Sequence, residues 1–344
     1  MRDDGFGATI SAAMSQKPPA VAVVIVSYNT AGLLRNCLSS LRACTVPLQI
    51  VVVDNASQDG SPAVVQAEFP EVELVALAHN PGFAGGTNIG LAHLARQPRP
   101  SEGGRVAPPD AATQLQLTVP YVLLLNPDTV VHPGAIEAMV AFLEAHPRVG
   151  LVGPRLLNPD GTIQPAAFRF PTLLMTVLDL FPPGEVLPGR LYGSWWHGRY
   201  PEEAGATPFP IDHPLGACML ARATVLASVG PLDEAYFMYS EEIEWCWRIR
   251  QAGWAIWQVP TARVTHVGGA ATRQFRWKML VALWRSRARF AALRGPAWRF
   301  IAHQAIVRAG MLRLSLRVWW AYRGGQVSRD ELRAQLLAYA EMMR

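Results

Sequence analysis

Short aliphatic runs alternate with stretches of helical period through the first half of this chain. Val21 to Tyr28 is almost wholly apolar and ends at Asn29-Thr30. Ala31 to Ala43 follows, with Leu33, Leu34, Cys37, Leu38 and Leu41 on one helical face. Leu48 to Val53 repeats the strand pattern and ends at Asp54. Ser61 to Phe69 then reads as a helix opened by Ser61-Pro62, an N-cap and first-turn pair. Val72 to Leu77 gives a third strand, and the glycine-rich Asn80 to Gly90 runs into a helix through Ala95. Tyr121 to Leu125 and Pro133 to His146 add another strand and helix. Strands apolar on both faces are buried on both sides, and their alternation with helices predicts an α/β fold with a mostly parallel sheet and right-handed crossovers.

Beyond Gly153 the pattern changes to Pro-rich loops, an aromatic cluster from Tyr192 to Tyr200 and an apolar strand around Gly216 to Ala221. This predicts a smaller mixed region capping the first half. Residues 97–119 are rich in Pro, Gly and polar residues without periodicity and read as a mobile surface insertion. Residues 1–20 have neither a basic start nor an apolar core segment, so they read as a disordered leader and not a signal peptide. No internal repeat is visible. A length of 344 residues, half of them apolar, suits one large α/β domain with an appendage, or two modest domains. Cys37, Cys44, Cys218 and Cys246 show neither metal-ligand spacing nor a disulfide framework, which favours a reducing cytosol.

The net charge of +5 changes the picture because of where it lies. No Asp or Glu occurs between Glu244 and Asp330, while Arg and Lys recur among Phe275, Trp277, Trp284, Phe290, Trp298, Phe300, Trp319 and Trp320. Such a basic, aromatic helical tail, residues 271–344, reads first as attachment to an anionic membrane surface. A solvated helix packed on a core is the plainer alternative, and nucleic acid the weakest. Ile301 to Ala321 is the most apolar stretch, but His303, Arg308, Arg313 and Arg317 interrupt it, so the tail is not expected to cross a bilayer.

Candidate chemistry gathers where strands stop. Val122-Leu-Leu-Leu-Asn-Pro-Asp-Thr129 is a buried run cut short by Pro127, which delivers Asp128 to a strand's carboxyl end, where open α/β sheets bind ligands. A carboxylate there suits a divalent cation bridging a diphosphate; it serves equally well as a turn former or N-cap. Asp54, in Val51-Val-Val-Asp-Asn-Ala-Ser57, can accept a hydrogen bond from a base or a ribose hydroxyl. A dinucleotide fingerprint would need G-x-G-x-x-G after the first strand, where Ser27-Tyr-Asn-Thr30 stands, so a nicotinamide cofactor is excluded. The glycines of Asn80-Pro-Gly-Phe-Ala-Gly-Gly-Thr-Asn-Ile-Gly90 lack a P-loop lysine and let backbone approach a ligand or a neighbouring strand. In Tyr239-Ser-Glu-Glu-Ile-Glu-Trp-Cys-Trp-Arg248, Ser240 is placed to cap a helix with Glu241 and Glu242 in its first turn. Helix-dipole complementarity explains those acids without chemistry; the functional reading is a general base, its basicity lowered by the same dipole. His266, in Val264-Thr-His-Val-Gly-Gly269, is either structural or an imidazole metal ligand.

Taken in order, Val24-Ile-Val-Ser-Tyr-Asn29, Val52-Val-Asp-Asn-Ala-Ser57, Asn80-Pro-Gly-Phe-Ala-Gly-Gly86, Leu125-Asn-Pro-Asp-Thr129, Gly216-Ala-Cys-Met-Leu220, Val229-Gly-Pro-Leu-Asp-Glu234, Phe237-Met-Tyr-Ser-Glu-Glu-Ile-Glu244 and His266-Val-Gly-Gly269 resemble the family 2 inverting glycosyltransferases of GT-A fold, in particular their rhamnosyltransferase-like branch. The resemblance runs from about Val21 to Gly269 and implies a catalytic domain over residues 21–270. It implies that Ser27, Tyr28, Asp54, Asn80, Gly85, Asn126 and Asp128 bind a nucleotide-sugar, and that Asp128 and His266 hold Mg2+ or Mn2+. It further implies Glu242 as catalytic base and Glu241, Trp247 and Arg248 beside the acceptor. The implied activity is transfer of a sugar, L-rhamnose from dTDP-rhamnose, to a glycan or lipid-linked acceptor in cell-surface polysaccharide synthesis, at the cytoplasmic face of a membrane. An oligomer is compatible with it and nucleic acid is not a partner. Three positions depart from the family pattern: Asn126 replaces an acid, Glu242 is one methylene longer than the usual aspartate, and Ala270-Ala271 stand where a serine often follows the glycines. The competing classes are a sugar nucleotidyltransferase, which would want a basic glycine-rich first-strand signature, and a non-catalytic nucleotide-sugar or membrane-binding protein.

Overall fold

The computed structural model describes residues 20–95, 117–182, 194–202, 205–269 and 276–344. The expected leader and most of the expected insertion lie outside these residues, as do Ala270 and Ala271. Residues 117–119 of that insertion are described, and Val119 is buried against the core.

The chain order is β1 (Val21–Ser27), α1 (Ala31–Leu41), β2 (Leu48–Asp54), α2 (Ser61–Glu68), β3 (Glu73–Ala76), α3 (Gly82–Ala95), β4 (Tyr121–Leu125), β5 (Thr129–Val131), α4 (Ala135–Ala145) and β6 (Val149–Leu157). It continues with β7 (Ile163–Gln164), β8 (Ala167–Phe168), α5 (Leu173–Leu180), β9 (Phe209–Pro210), β10 (His213–Pro214), β11 (Cys218–Arg222), α6 (Ala223–Val229), α7 (Glu241–Gln251) and β12 (Ala255–His266). Three helices end it: α8 (Arg276–Leu293), α9 (Ala297–Arg323) and α10 (Arg329–Met342).

The main sheet has the order β3-β2-β1-β4-β11-β6-β12-β5, with β7 and β9 pairing at β6 and β12. β1 is parallel to β2 and β4, β2 is parallel to β3, and β6 is parallel to β12, while β11 runs antiparallel to both β4 and β6. The second half therefore adds strands to the same sheet and, among the described residues, forms only the β8–β10 pair apart from it. Period-two alternation decides which helices cover it. Val21, Val23 and Ile25 of β1 face Leu34, Leu38, Ile136 and Met139 of α1 and α4. Ala22 and Val24 face the layer containing Ala84 and Leu91 of α3 and Trp245 and Ile249 of α7. Truncating any of these buried aliphatics to Ala would cost about 2–5 kcal/mol.

α2 begins at Ser61 itself, one residue earlier than a Ser61 cap would require. Gly60 holds the N-cap position, and Asp59 Oδ1 accepts from both the Ser61 N–H and its hydroxyl. The basic tail is three packed helices and not a free amphipathic segment. Val281, Trp284, Val307, Met311, Val318 and Tyr339 form a separate core with Leu180 of α5. Among the described residues no helix is long and apolar enough to cross a membrane.

Candidate active site

The strand ends converge on a cleft of about 540 Å³ lined by Tyr28, Asn55, Asn80, Asn126, Asp128, Gly216, Glu241, Glu242 and His266, with Lys278 of α8 at its edge. Pro127 ends β4, and the chain then re-enters the sheet as β5, antiparallel to β12 with Thr129 opposite His266. That register joins residues 138 positions apart: Val267 N–H donates to Asp128 C=O at 3.0 Å, and His266 Nε2 lies 3.4 Å from Asp128 Oδ1. Both side chains are buried. Gln164 of β7 orients the imidazole. Its amide nitrogen donates to Asn158 Oδ1 at 3.0 Å and to His266 C=O at 3.2 Å, leaving Oε1 to accept from His266 Nδ1 at 2.7 Å. Nδ1 therefore donates to Gln164, and Nε2 faces Asp128.

Glu242 stands at the start of α7 against Gly216, where a Cβ would lie 3.3 Å from Glu242 Cγ. The absence of a side chain at 216 makes the room. Tyr239 and Ser240 approach α7 at φ 69° and 64°, two consecutive left-handed residues that are not glycine. Ser240 occupies the N-cap position, but its side chain makes no capping bond, contrary to expectation; its carbonyl accepts from Glu244 N–H at 2.9 Å. Burial pushes the Glu242 carboxyl up to about 7, against backbone N–H groups of residues 240, 242 and 243 that pull it down. Burial first, and then the charge of Glu242, raises Glu241 well above the carboxylate range. Burial thus outweighs the helix dipole, and the basicity expected to be lowered is raised. The Oε2 atoms of both acids have no hydrogen-bond partner.

Asp54, a predicted site residue, is buried behind Asn55 and does not line the cleft; its Oδ2 accepts from Ser57 N–H at 2.8 Å, while the buried Oδ1 has no partner. Ser27, beside it in the β1–β2 register, bonds Thr30 Oγ1 at 3.0 Å and is fully buried, so it supports the floor without lining the cleft. Asn55 Nδ2 donates to Asn80 Oδ1 at 3.1 Å and to Gly82 C=O at 2.9 Å. Gly82, at φ 84°, lets Phe83 N–H reach Phe237 C=O at 2.9 Å, where a Cβ would collide with that same oxygen. Gly85 does not reach the cleft, since its Cβ direction points at Pro81. The glycines behind it let α3 lie close on the sheet: a Cβ at Gly90 would fall 2.6 Å from Val24 Cγ1.

Trp247 and Arg248 also stand away from the cleft. Trp247 meets Phe170 edge-on at 5.3 Å. Arg248 pairs with Glu244 at 2.7 Å and donates to the carbonyls of Val229 and Pro231, which ties α7 to the loop after α6. Both follow Glu242 by more than one helical turn and face the protein interior, which their sequence separation from the acids conceals. Asn55, Gln164 and Gly216 are the contributors that sequence reasoning missed. Asn55 and Gly216 lay inside quoted motifs, and Gln164 carried no signal at all.

A second cavity of about 690 Å³ lies on the other side of Glu242 and shares Leu215, Tyr239 and Glu242 with the first. Its outer walls come from α5, α8 and the start of α9.

A mostly parallel sheet with acids at its strand tips, continued by antiparallel strands that carry a histidine, describes a nucleotide-sugar transferase fold. The chain matches glycosyltransferase-like family 2 over residues 18–289 and belongs to that family; it is a glycosyltransferase. It is 30% identical over 281 residues, 80% of this chain and 85% of the relative, to the N-acetylglucosaminyl-diphospho-decaprenol L-rhamnosyltransferase of Mycobacterium tuberculosis. Rhamnosyltransferase WbbL of Escherichia coli K12 is 22% identical over 270 residues, 75% of this chain and 89% of that one. Among solved structures, a mannosyltransferase from Pyrobaculum calidifontis in complex with GDP-Man and Mn2+ superposes with a TM-score of 0.50 at 17% identity. The match covers 95% of this chain and 87% of that one, and supports the GT-A fold.

Proposed function

We propose that the protein moves L-rhamnose from dTDP-rhamnose to a hydroxyl of a lipid-linked saccharide in cell-surface polysaccharide synthesis, inverting the anomeric centre in a single displacement. The observation that carries this reading is the position of Glu242 on the wall common to two cavities, with Asp128 and His266 in the first. The nucleotide-sugar occupies that first cleft. Tyr28, Asn55, Asn80 and Asn126 line the path to Asp128, and Asp54, buried directly behind Asn55 with Oδ1 unpartnered, is the acceptor for a base or ribose donor that reaches past that lining. Both M. tuberculosis and E. coli relatives are rhamnosyltransferases, and the former's name specifies a diphospho-decaprenol acceptor, which supports the choice of sugar and of acceptor class.

The residues present fit a divalent cation. A carboxylate oxygen and an imidazole nitrogen face each other at 3.4 Å, and both are donor types that a divalent cation takes. Among the described residues no third His, Cys, Asp or Glu joins them, so the protein supplies two ligands and the donor diphosphate completes the set. When bound, such a cation neutralises negative charge growing on the departing diphosphate. Asp128 and His266 hold their atoms in place for that role, and Gln164 orients the imidazole. Glu242, ionising at about 7, takes the proton of the acceptor hydroxyl near neutral pH, and Glu241 beside it is raised well above its ordinary value by burial and by the charge of Glu242.

The tail supports attachment to an anionic bilayer. Trp298, Ile301, Leu312, Leu316, Trp319 and Trp320 are all exposed, and at helical spacing they fall within roughly 100° of one another on α9. Arg308, Arg317 and Arg323 accompany them along the helix.

The test is a donor screen with purified full-length protein, measuring nucleoside diphosphate released from dTDP-, UDP- and GDP-sugars with and without EDTA. dTDP-rhamnose with Mg2+ or Mn2+ should give the fastest release. Undiminished activity in EDTA would remove the cation from the scheme, and no release from any donor would end the transferase reading.

A further inference from the structure

The second cavity has a composition that the displacement itself does not require. Five arginines line it (Arg169, Arg199, Arg287, Arg294 and Arg299) against two carboxylates, Asp179 and Glu242. Asp179 is already committed, bonded to Arg287 and to His197 Nε2. The other four arginines make no ion pair among the described residues. Arg169 lies 3.5 Å above the Trp195 ring and donates to Trp195 C=O. Arg294 donates to Pro171 C=O at 2.8 Å, with Trp247 and Phe170 rings at 4.7 and 5.0 Å. Desolvation lowers the Arg294 guanidinium from its usual range, the charges of Arg299 and Arg169 lower it further, and Asp212 offsets part of the effect. Of the three histidines lining it, His213 and His303 are pushed down to about 4, mainly by burial, and His197 is bonded to Asp179.

Arginines that line a cavity without an ion pair, half-buried at Arg169, Arg199 and Arg294 and exposed at Arg299, have the chemistry of a phosphate-binding site. The rest of the cavity says what else the ligand carries. Toward the reaction cleft it shares Leu215, Tyr239 and Glu242 as a common wall. Toward the outside it is rimmed by Leu174 and Trp298, exposed by 45% and 58%, and Trp298 begins the apolar stripe of α9. Resting on the transferase reading above, we propose that this cavity binds the acceptor through a phosphate or diphosphate held by Arg199, Arg294 and Arg299. The accepting saccharide then lies against Glu242, and a lipid chain leaves over Trp298 toward the α9 stripe. The arginines thereby select a phosphorylated acceptor over a neutral glycoside and fix which hydroxyl reaches the base.

The experiment compares two soluble acceptors with the same saccharide. One is the saccharide diphosphate ester of a short alkyl chain, the other the uncharged alkyl glycoside; both are assayed with wild type, Arg299→Gln, Arg199→Gln and the conservative Arg299→Lys. Arg299 is exposed on α9, so its replacement leaves the core intact. The wild type should prefer the diphosphate acceptor. Each Gln variant should raise the KM for that acceptor about tenfold or more, the scale of one charge-assisted phosphate contact. Arg299→Lys should recover part of the loss. The KM for the donor, turnover of the uncharged glycoside, and flotation on phosphatidylglycerol vesicles should not change. Equal kcat/KM for the two acceptors in the wild type would overturn the assignment, as would variants that keep their KM. Variants that lose only vesicle flotation would reassign the arginines to membrane headgroups and also overturn it. Failure of the transferase reading is separate: it would appear as no nucleoside diphosphate release with either acceptor.

Discussion

On one side of Glu242, polar groups arrive at the tips of largely buried strands; on the other, arginines arrive on helices and loops packed through a smaller core. In the first cleft the backbone dictates position: β5 and β12 set Asp128 and His266 opposite each other by register alone, and Asp54 ends β2 beside Ser27. In the second cavity, position depends on how α5, α8 and α9 dock, through contacts such as Arg313 to Leu180 C=O and Gly310 against the Leu180 side chain. The difference teaches that donor chemistry is built on the rigid sheet, while the acceptor surface is built on an attachment that can diverge without disturbing it.

The sharpest way to break that division is at the shared wall. Glu242→Gln should lower kcat by about a thousandfold while leaving the donor KM in place, since general-base catalysis contributes roughly 10²–10⁴-fold; a kcat within tenfold of wild type would move the base elsewhere. Replacing Gln164 with Leu should weaken activation by Mn2+ about 10–100-fold, the usual cost of losing the partner that orients a metal-binding histidine. That loss, read from the metal dependence of donor turnover, should leave the acceptor KM unchanged.

Arg248→Ala should act on stability alone. It strips a buried Glu244 of its partner, a loss of about 3 kcal/mol, and should lower Tm by several degrees with near-normal kinetics at low temperature. A specific rise in acceptor KM would instead restore Arg248 to the acceptor side.

The pH dependence runs in two directions at once. Glu242 is raised from 4.5 to about 7, so activity should climb as pH rises through about 7 and the base ionises. A carboxyl raised in the folded state stabilises the fold fully below its unfolded value and loses that contribution as pH rises through its folded one. Tm should therefore fall between about pH 4.5 and 7, and Glu242→Gln should flatten that fall. The smallest effect belongs to the outermost feature: Trp320→Ser should reduce flotation on anionic vesicles a few-fold and leave kinetics with soluble substrates alone.

Much of the sheet was legible because buried strands announce themselves. The runs at Val21, Leu48 and Tyr121 need apolar side chains on both faces, and no other element tolerates them so briefly. The strand tips were legible for the same reason, since Pro127 and Asp54 mark where the runs stop. What escaped depends on partners distant in sequence. Trp247 and Arg248 sit beside the acids along the chain, but α7 turns them toward Phe170 and the loop after α6. Gln164 matters only because β7 pairs with β6 next to the end of β12. The rise in Glu242 basicity follows from burial, which no spacing reveals. The arginine cavity was visible only as an excess of charge in the tail, because two of its members, Arg169 and Arg199, come from residues well before that tail.

The bend ahead of α7 has a consequence for anyone who would improve this protein. Tyr239 and Ser240 hold conformations that each cost on the order of 1–3 kcal/mol, and they hold them where the chain must turn Glu242 toward Gly216. A glycine at position 240 would relax that hinge, so a screen that rewards heat tolerance would enrich it. The survivors would be sturdier and slower, because the tension removed is what aims the carboxylate.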